Sequence, residues 1–209
     1  MAGKLITLEG IEGAGKSSAL NFIKTHLQQF DLIITREPGG TPLAEEIRKI
    51  LLFSHTETMQ AQTELLLMFA CRAQHIDQCI KPALNQGKWV LSDRYIDASY
   101  AYQGYGRGMD IKMITCLDEM IVGNLYPQLT ILMDVSPEIG LLRAEKRQSQ
   151  KDRIEQEKID FFQRVRAGYL QRAKHDPKRI KIIDANQELK DVQTKIVEVL
   201  QQFLMEMTA

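Results

Sequence analysis

The sequence predicts an α/β fold: a roughly five-stranded parallel sheet in the middle of three layers, with helices on both faces. Two observations lead there. Residues 5–8, 32–35, 89–91, 129–133 and 180–183 are apolar almost without interruption, as strands covered on both faces are, whereas half-exposed strands alternate. Between these runs lie stretches with helical spacing. Leu20, Ile23, Leu27 and Phe30 share one face, and so do Leu189, Val192, Ile196, Val199 and Phe203. Strand–helix alternation of this kind packs as a right-handed, three-layer fold. No repeat, low-complexity tract or Pro/Gly-rich linker divides the 209 residues, so 1–209 is expected to form a single domain.

Composition excludes several classes. Lys plus Arg and Asp plus Glu each total 27, which argues against a protein built to coat nucleic acid. No apolar run is long enough to span a membrane, and the start leads straight into the first strand-like segment, so neither a signal peptide nor a membrane partner is expected. Cys71, Cys79 and Cys116 form no CxxC pair and read as buried, reduced thiols of a cytoplasmic protein. The four histidines are scattered without metal-ligand spacing.

The first strand runs into Gly10-Ile11-Glu12-Gly13-Ala14-Gly15-Lys16-Ser17, and a helix follows. This is GxxxxGK[ST] in the strand–loop–helix setting that makes it a phosphate loop. Its glycines let backbone N–H groups turn inward around phosphate oxygens, and the helix N-terminus adds partial positive charge. Lys16 is expected at the β- and γ-phosphates of ATP, and the Ser17 hydroxyl on Mg²⁺. The three-layer sheet is thereby a P-loop NTPase fold. Neither the DxxG nor the NKxD element of a GTPase switch occurs. A mechanical or DNA-remodelling ATPase needs more domains than this length allows, which leaves a kinase of small molecules.

Active sites of such sheets lie at the carboxyl ends of the strands. After the second strand, Thr35-Arg36-Glu37-Pro38-Gly39-Gly40-Thr41-Pro42 fixes a loop in which Arg36 offers a planar fork for a phosphate. After the third comes Asp93-Arg94-Tyr95. Asp93 can hold Mg²⁺ through water, and Arg94 can neutralise charge between donor and acceptor phosphates. A long apolar segment, about 58–86, ends at Gly87, and on it Arg72 interrupts the face made by Leu65, Leu66, Met68 and Phe69. Trp89 reads as core. The stretch Gly104-Tyr105-Gly106-Arg107-Gly108 follows no strand and reads as a flexible connection.

With these residues in view, nearly the whole chain resembles the thymidylate kinase family in its bacterial form. The motifs are GIEGAGKS at 10–17, TREPGGT at 35–41, Arg72-Ala73-Gln74-His75, DRY at 93–95, AYQGYGRG at 101–108 and DRIE at 152–155. The resemblance implies transfer of a phosphoryl group from ATP to thymidine monophosphate. It also implies roles. Arg36 and Arg94 would hold the acceptor phosphate, and Arg72 would hydrogen-bond the thymine carbonyl. Glu12 would lie near the sugar 3′-hydroxyl and the metal. Ser99 and Gln103 would sit at the base or its surroundings, and Tyr102 under the deoxyribose, where it excludes a ribose hydroxyl. A homodimer through packed helices is implied as well. The sequence departs from the family at one point. A phenylalanine usually stacks on thymine four residues before the helix arginine; here that position is Met68, and Phe69 lies one residue on. One residue turns a side chain by about 100° on a helix, so the two cannot do the same work.

Residues 143–153 carry Arg143, Lys146, Arg147, Lys151 and Arg153 against Glu145 and Asp152. Lacking a strong apolar stripe, this region suits a lid over about 143–156. The phosphate loop has no arginine, so transition-state charge must be met from elsewhere. The resemblance likewise implies catalytic arginines in the lid, with Arg147 and Arg153 as the candidates. A kinase for another nucleoside monophosphate, or for a deoxynucleoside, is the alternative on the same scaffold.

Overall fold

The computed structural model describes residues 3–146 and 152–207. In chain order the elements are β1 (Leu5–Glu9), α1 (Lys16–His26), β2 (Leu32–Arg36), α2 (Pro42–Leu52), α3 (Ala61–His75), α4 (Lys81–Asn85), β3 (Trp89–Asp93), α5 (Ile96–Ser99), α6 (Ile111–Ile121), β4 (Leu129–Asp134), α7 (Pro137–Glu145), α8 (Ile159–His175), β5 (Ile180–Asp184) and α9 (Leu189–Glu206). The five strands form one sheet in the order β2-β3-β1-β4-β5, with every pairing parallel. Each apolar run seen in the sequence is a strand, and each strand continues one or two residues further at its carboxyl end, onto Glu9, Arg36, Asp93, Asp134 and Asp184. Hydrophobicity marks where a strand is buried; the polar residue that ends it marks where the sheet meets the site.

Caps and packing explain the rest. The Thr41 hydroxyl accepts from the Ala44 N–H at 3.3 Å, with Pro42 at the first helical position of α2. Ser136 and Pro137 start α7 in the same way. Ile23 and Leu27 are fully buried, as are Ile196 and most of Val192. Leu189 leaves the expected face of α9: it is the first helical residue and is 61% exposed. Trp89 is core, its ring stacked 3.9 Å from that of Phe30.

The long apolar segment is not one helix. Between α3 and α4 the backbone widens into a π-helical turn over Ile76–Ile80, just ahead of Pro82, which has no N–H to give an α-helical turn; Gly87 closes the segment at φ +76°. A second π-helical turn spans Tyr100–Gly106, so residues 104–108 are not the flexible connection expected from their glycines. Gly104 packs against Ile111 and Ile114 of α6, and Tyr105 and Gly106 pack hard against α8. A Cβ at Gly106 would stand 2.7 Å from the Phe161 ring, and one at Gly168 would stand 2.8 Å from the Tyr105 ring. Glycine here serves close approach. The thiols are all free, yet only Cys71 is buried; Cys79 is half-buried and Cys116 exposed.

Candidate active site

The carboxyl ends of β1 and β3 bring the phosphate loop beside the Asp93–Tyr95 corner. Gly13 packs where only a glycine fits, at φ +72°, since a Cβ would fall 1.8 Å from the carbonyl oxygen of Gly140 on α7. Lys16 curls back over its own loop and donates to the carbonyls of Gly10 and Ile11 at 3.1 and 3.2 Å. Burial and the neighbouring Arg94 cation push its amine down to about 8, against the pull of Asp93 and Glu12. Ser17 is exposed in the first turn of α1. Oδ1 of Asp93 is buried with no hydrogen-bond partner.

Arg94 holds an unusual backbone conformation for a residue with a side chain, φ +70°. Its amide donates to the Leu8 carbonyl at 2.9 Å, and its guanidinium donates to the Gly10 carbonyl at 2.7 Å and to the Tyr169 hydroxyl at 3.0 Å. Nη2 donates to Oε1 of Glu12 at 2.7 Å, and the Tyr102 hydroxyl donates to Oε2 at 2.7 Å. Burial alone would raise the Glu12 carboxyl, but Arg94 and Lys16 hold it below the usual range. The Arg94 guanidinium also lies 4.8 Å above the Tyr102 ring.

Across a cavity of about 510 Å³ from the phosphate loop stand Arg36, Met68, Arg72, Ser99, Tyr102 and Gln103. Arg72 is 2% exposed and fully oriented. It donates Nε to Oε2 of Glu37 at 2.8 Å, Nη1 to the Ser99 hydroxyl at 2.9 Å, and Nη2 to the Tyr95 carbonyl at 3.0 Å. Of its five N–H groups these bonds use three. Behind it, the His75 ring meets Oε1 of Glu37 at 2.9 Å and the Thr35 hydroxyl at 2.6 Å. Although burial opposes it, hydrogen bonds to Cys79 and to the Glu37 carboxylate push His75 up to about 9. Met68 lines the cavity, whereas Phe69 is 2% exposed within the core, its ring 4.8 Å from the Arg72 guanidinium carbon. Arg36 stands at the mouth, its side chain 53% exposed and paired with Glu45 at 3.0 Å.

The arginines expected in the lid fall differently. Arg147 lies outside the described residues. Arg153 is turned away from the cavity: Nε donates to the Leu51 carbonyl at 3.0 Å and Nη2 to Glu64 at 2.6 Å. Its neighbours Asp152, Ile154 and Glu155 line the cavity instead. An arginine adjacent to a cavity residue faces it only if the backbone turns that way, and no sequence spacing fixes this in an irregular segment. Arg143 lines both the main cavity and a second one of about 220 Å³, which lies between the phosphate loop and α9. Sequence reasoning also missed Arg48, which lines the cavity and donates to the Pro38 carbonyl at 2.7 Å, and Glu37, the anchor of Arg72. Glu37 stood inside a quoted motif; a buried arginine such as Arg72 requires a carboxylate partner, and that requirement was the signal available. Among the described residues no cluster of ligating side chains is built to hold a metal by protein groups alone.

The chain is similar to known proteins over nearly its whole length. The family model described as thymidylate kinase matches residues 8–196. A thymidylate kinase of Pseudomonas savastanoi pv. phaseolicola is 52% identical over 206 residues, covering 98% of both chains. One from Vesicomyosocius okutanii is 51% identical over 201 residues, covering 95% of this chain and 98% of its own. The crystal structure of thymidylate kinase from Ehrlichia chaffeensis superposes with a TM-score of 0.76 at 33% identity, over 96% of this chain and 99% of that one.

Proposed function

The chain belongs to the thymidylate kinase family, and from that premise we propose how its own residues carry the reaction. It phosphorylates thymidine monophosphate at the expense of ATP. The observation that carries the site assignment is one cavity with the phosphate loop on one wall and a buried, oriented arginine on the other.

In this reading the backbone N–H groups of residues 10–17 cradle the ATP phosphates, and Lys16 leaves its loop carbonyls for the β- and γ-phosphates. Ser17 and the unpartnered Oδ1 of Asp93 would hold Mg²⁺; a buried carboxylate oxygen without a donor fits a hydrated cation. Bound there, the metal would supply charge to offset that developing on the transferred group. Arg36 and Arg94 hold the acceptor phosphate. The two free N–H groups of Arg72 face the base, Met68 covers it through its polarizable thioether, and Ser99 and Gln103 complete its surroundings. Tyr102 packs beneath the sugar, with Glu12 near the 3′-hydroxyl. The acceptor oxygen is already ionised, so no strong general base is needed; positioning and charge neutralisation carry the step. Arg94 meets the transition-state charge from the floor. Arg143 is the described arginine best sited to assist from the segment 143–156, which we read as a lid on a single domain, 1–209; Arg147 remains a candidate within it.

The enzyme is proposed to work in the cytoplasm as a homodimer, without nucleic acid or membrane as partner. Among the described residues no helix is long and apolar enough to cross a membrane. The dimer is supported by exposed Leu43, Ile50, Leu66, Met113 and Met120 on α2, α3 and α6, helices that pack in sequence with α3 between the other two. A coupled assay of ATP consumption against a panel of nucleoside monophosphates tests the reading. Thymidine monophosphate should be the best acceptor, and equal or greater kcat/KM with another base would refute the base-site assignment.

A further inference from the structure

Glu64 lies on α3, four residues before Met68 and eight before Arg72, so it shares their side of the helix. Yet its carboxylate does not line the cavity. It is 1% exposed, and burying a carboxylate is expensive unless its oxygens are well satisfied. Here both are. Oε1 accepts from Nε2 of Gln103 at 2.8 Å and from Nε of Arg107 at 3.2 Å; Oε2 accepts from Nη2 of Arg107 at 3.1 Å and from Nη2 of Arg153 at 2.6 Å. Arg107 reaches on to Glu157.

These donors come from two separate parts of the site. Gln103 is part of the acceptor wall. Arg153 belongs to the turn that puts Asp152, Ile154 and Glu155 onto the same cavity. That turn is otherwise moored by the Arg153 amide and Nε on the Leu52 and Leu51 carbonyls, both at 3.0 Å. We propose that Glu64 is a positioning residue for phosphoryl transfer: it locks the turn at 152–157 to the acceptor wall, so that the two close the cavity against water as one unit. Phosphoryl transfer needs that exclusion, because water competes for the same phosphoryl group. A carboxylate suits the task and an amide does not. Glu64→Gln would place an NH₂ where either pair of donors now converges, leaving two donors facing it whichever way the amide is turned.

The inference rests on the acceptor reading above. The test measures ADP and thymidine diphosphate together, with separate KM values for ATP and acceptor, in purified wild type, Glu64→Gln and Arg153→Gln. Loss of one charge-assisted contact should raise the acceptor KM about ten-fold in both variants, with ATP KM changed less than about two-fold. ADP should exceed thymidine diphosphate by about two-fold or more, where wild type gives one of each. Arg153→Gln alters a residue at the rim of the network and keeps the test available if Glu64→Gln does not fold. Stoichiometric transfer with unchanged acceptor KM in a folded variant overturns the inference. So does a kcat loss of about 10³ in Arg153→Gln with unchanged KM and intact stoichiometry, the mark of an arginine acting on the transition state. A wild type whose ADP release ignores the acceptor would overturn the acceptor reading itself.

Discussion

Glu12 and Arg94 face each other across the floor of the cavity, 2.7 Å apart, one from the phosphate loop and the other from the end of β3. The pair joins the phosphate loop to the Asp93–Tyr95 corner through a residue whose own backbone is in the left-handed region.

That conformation separates two roles of Arg94 that substitution can measure. Arg94→Ala and Arg94→Gly both remove the guanidinium, and each should lower kcat by about 10³ or more. They should differ in stability. Left-handed backbone costs a side-chain-bearing residue about 1–2 kcal/mol, and the larger unfolded-state entropy of glycine offsets part of this. Arg94→Gly should therefore melt higher than Arg94→Ala. Equal melting temperatures would mean that the corner relaxes when the side chain is cut.

Lys16 gives a pH signature. Its amine is pushed down to about 8, and only the charged form attracts phosphate. The kcat/KM for ATP, which reports groups of the free enzyme, should fall as pH rises through about 8. Lys16→Arg should move that limb upward, and Lys16→Met should lower transfer by about 10² or more with an unchanged circular dichroism spectrum. A wild-type profile flat to pH 9.5 would contradict the assignment.

Tyr102 combines a ring against the cavity with a hydroxyl on Glu12. If the ring rejects ribose, Tyr102→Ala should narrow the preference for deoxyribose over ribose thymidine monophosphate by about ten-fold or more, while Tyr102→Phe keeps the preference and loses only the Glu12 contact. Steady-state kinetics on both nucleotides decide it; an unchanged ratio in Tyr102→Ala would move sugar discrimination to another group.

His75 ties stability to alkaline pH. Its pKa rises from 6.5 to about 9 on folding, so the folded state binds the proton more tightly. The stabilisation is fully present below pH 6.5 and is lost as pH rises through about 9. Urea midpoints for wild type should fall across that window, and those for His75→Gln should be flatter. Parallel curves would show that the ring does not titrate there.

The proposed dimer face can be charged. Met120→Glu, at a side chain 68% exposed, should leave the monomer fold intact and shift the sedimentation coefficient to that of one chain. Unchanged dimers would move the interface elsewhere.

The sheet was legible because burial on both faces writes itself as uninterrupted apolar runs, and the phosphate loop because backbone geometry requires its glycines. Arg72 was legible as an anomaly on an apolar helix. Its anchor Glu37 was not read as one, because pairing between residues 35 apart in sequence leaves no periodic mark. The same holds for Glu64, whose partners lie 39 to 89 residues away. Gly106 was misread because the sequence signature of a glycine needed for close packing is the same as that of one needed for freedom, such as Gly108 at φ +71° in open space; only Phe161 and Val165 opposite Gly106 distinguish the two.

The mooring of Arg72 has a thermodynamic consequence. Freezing a long, flexible side chain costs up to about 2 kcal/mol, and here Glu37, Ser99 and the Tyr95 carbonyl impose that order when the protein folds. If the base binds beside Met68 as proposed, it meets an arginine already in register, so little of its binding energy is diverted into ordering that side chain. Arg36, half-exposed and paired with Glu45, is less tightly held and, on the proposed reading, would be ordered only when the acceptor phosphate binds. Truncating a ligand's phosphate should therefore remove an enthalpic contribution together with its opposing entropy, whereas altering the base edge should appear in calorimetry as an almost undiluted loss of enthalpy.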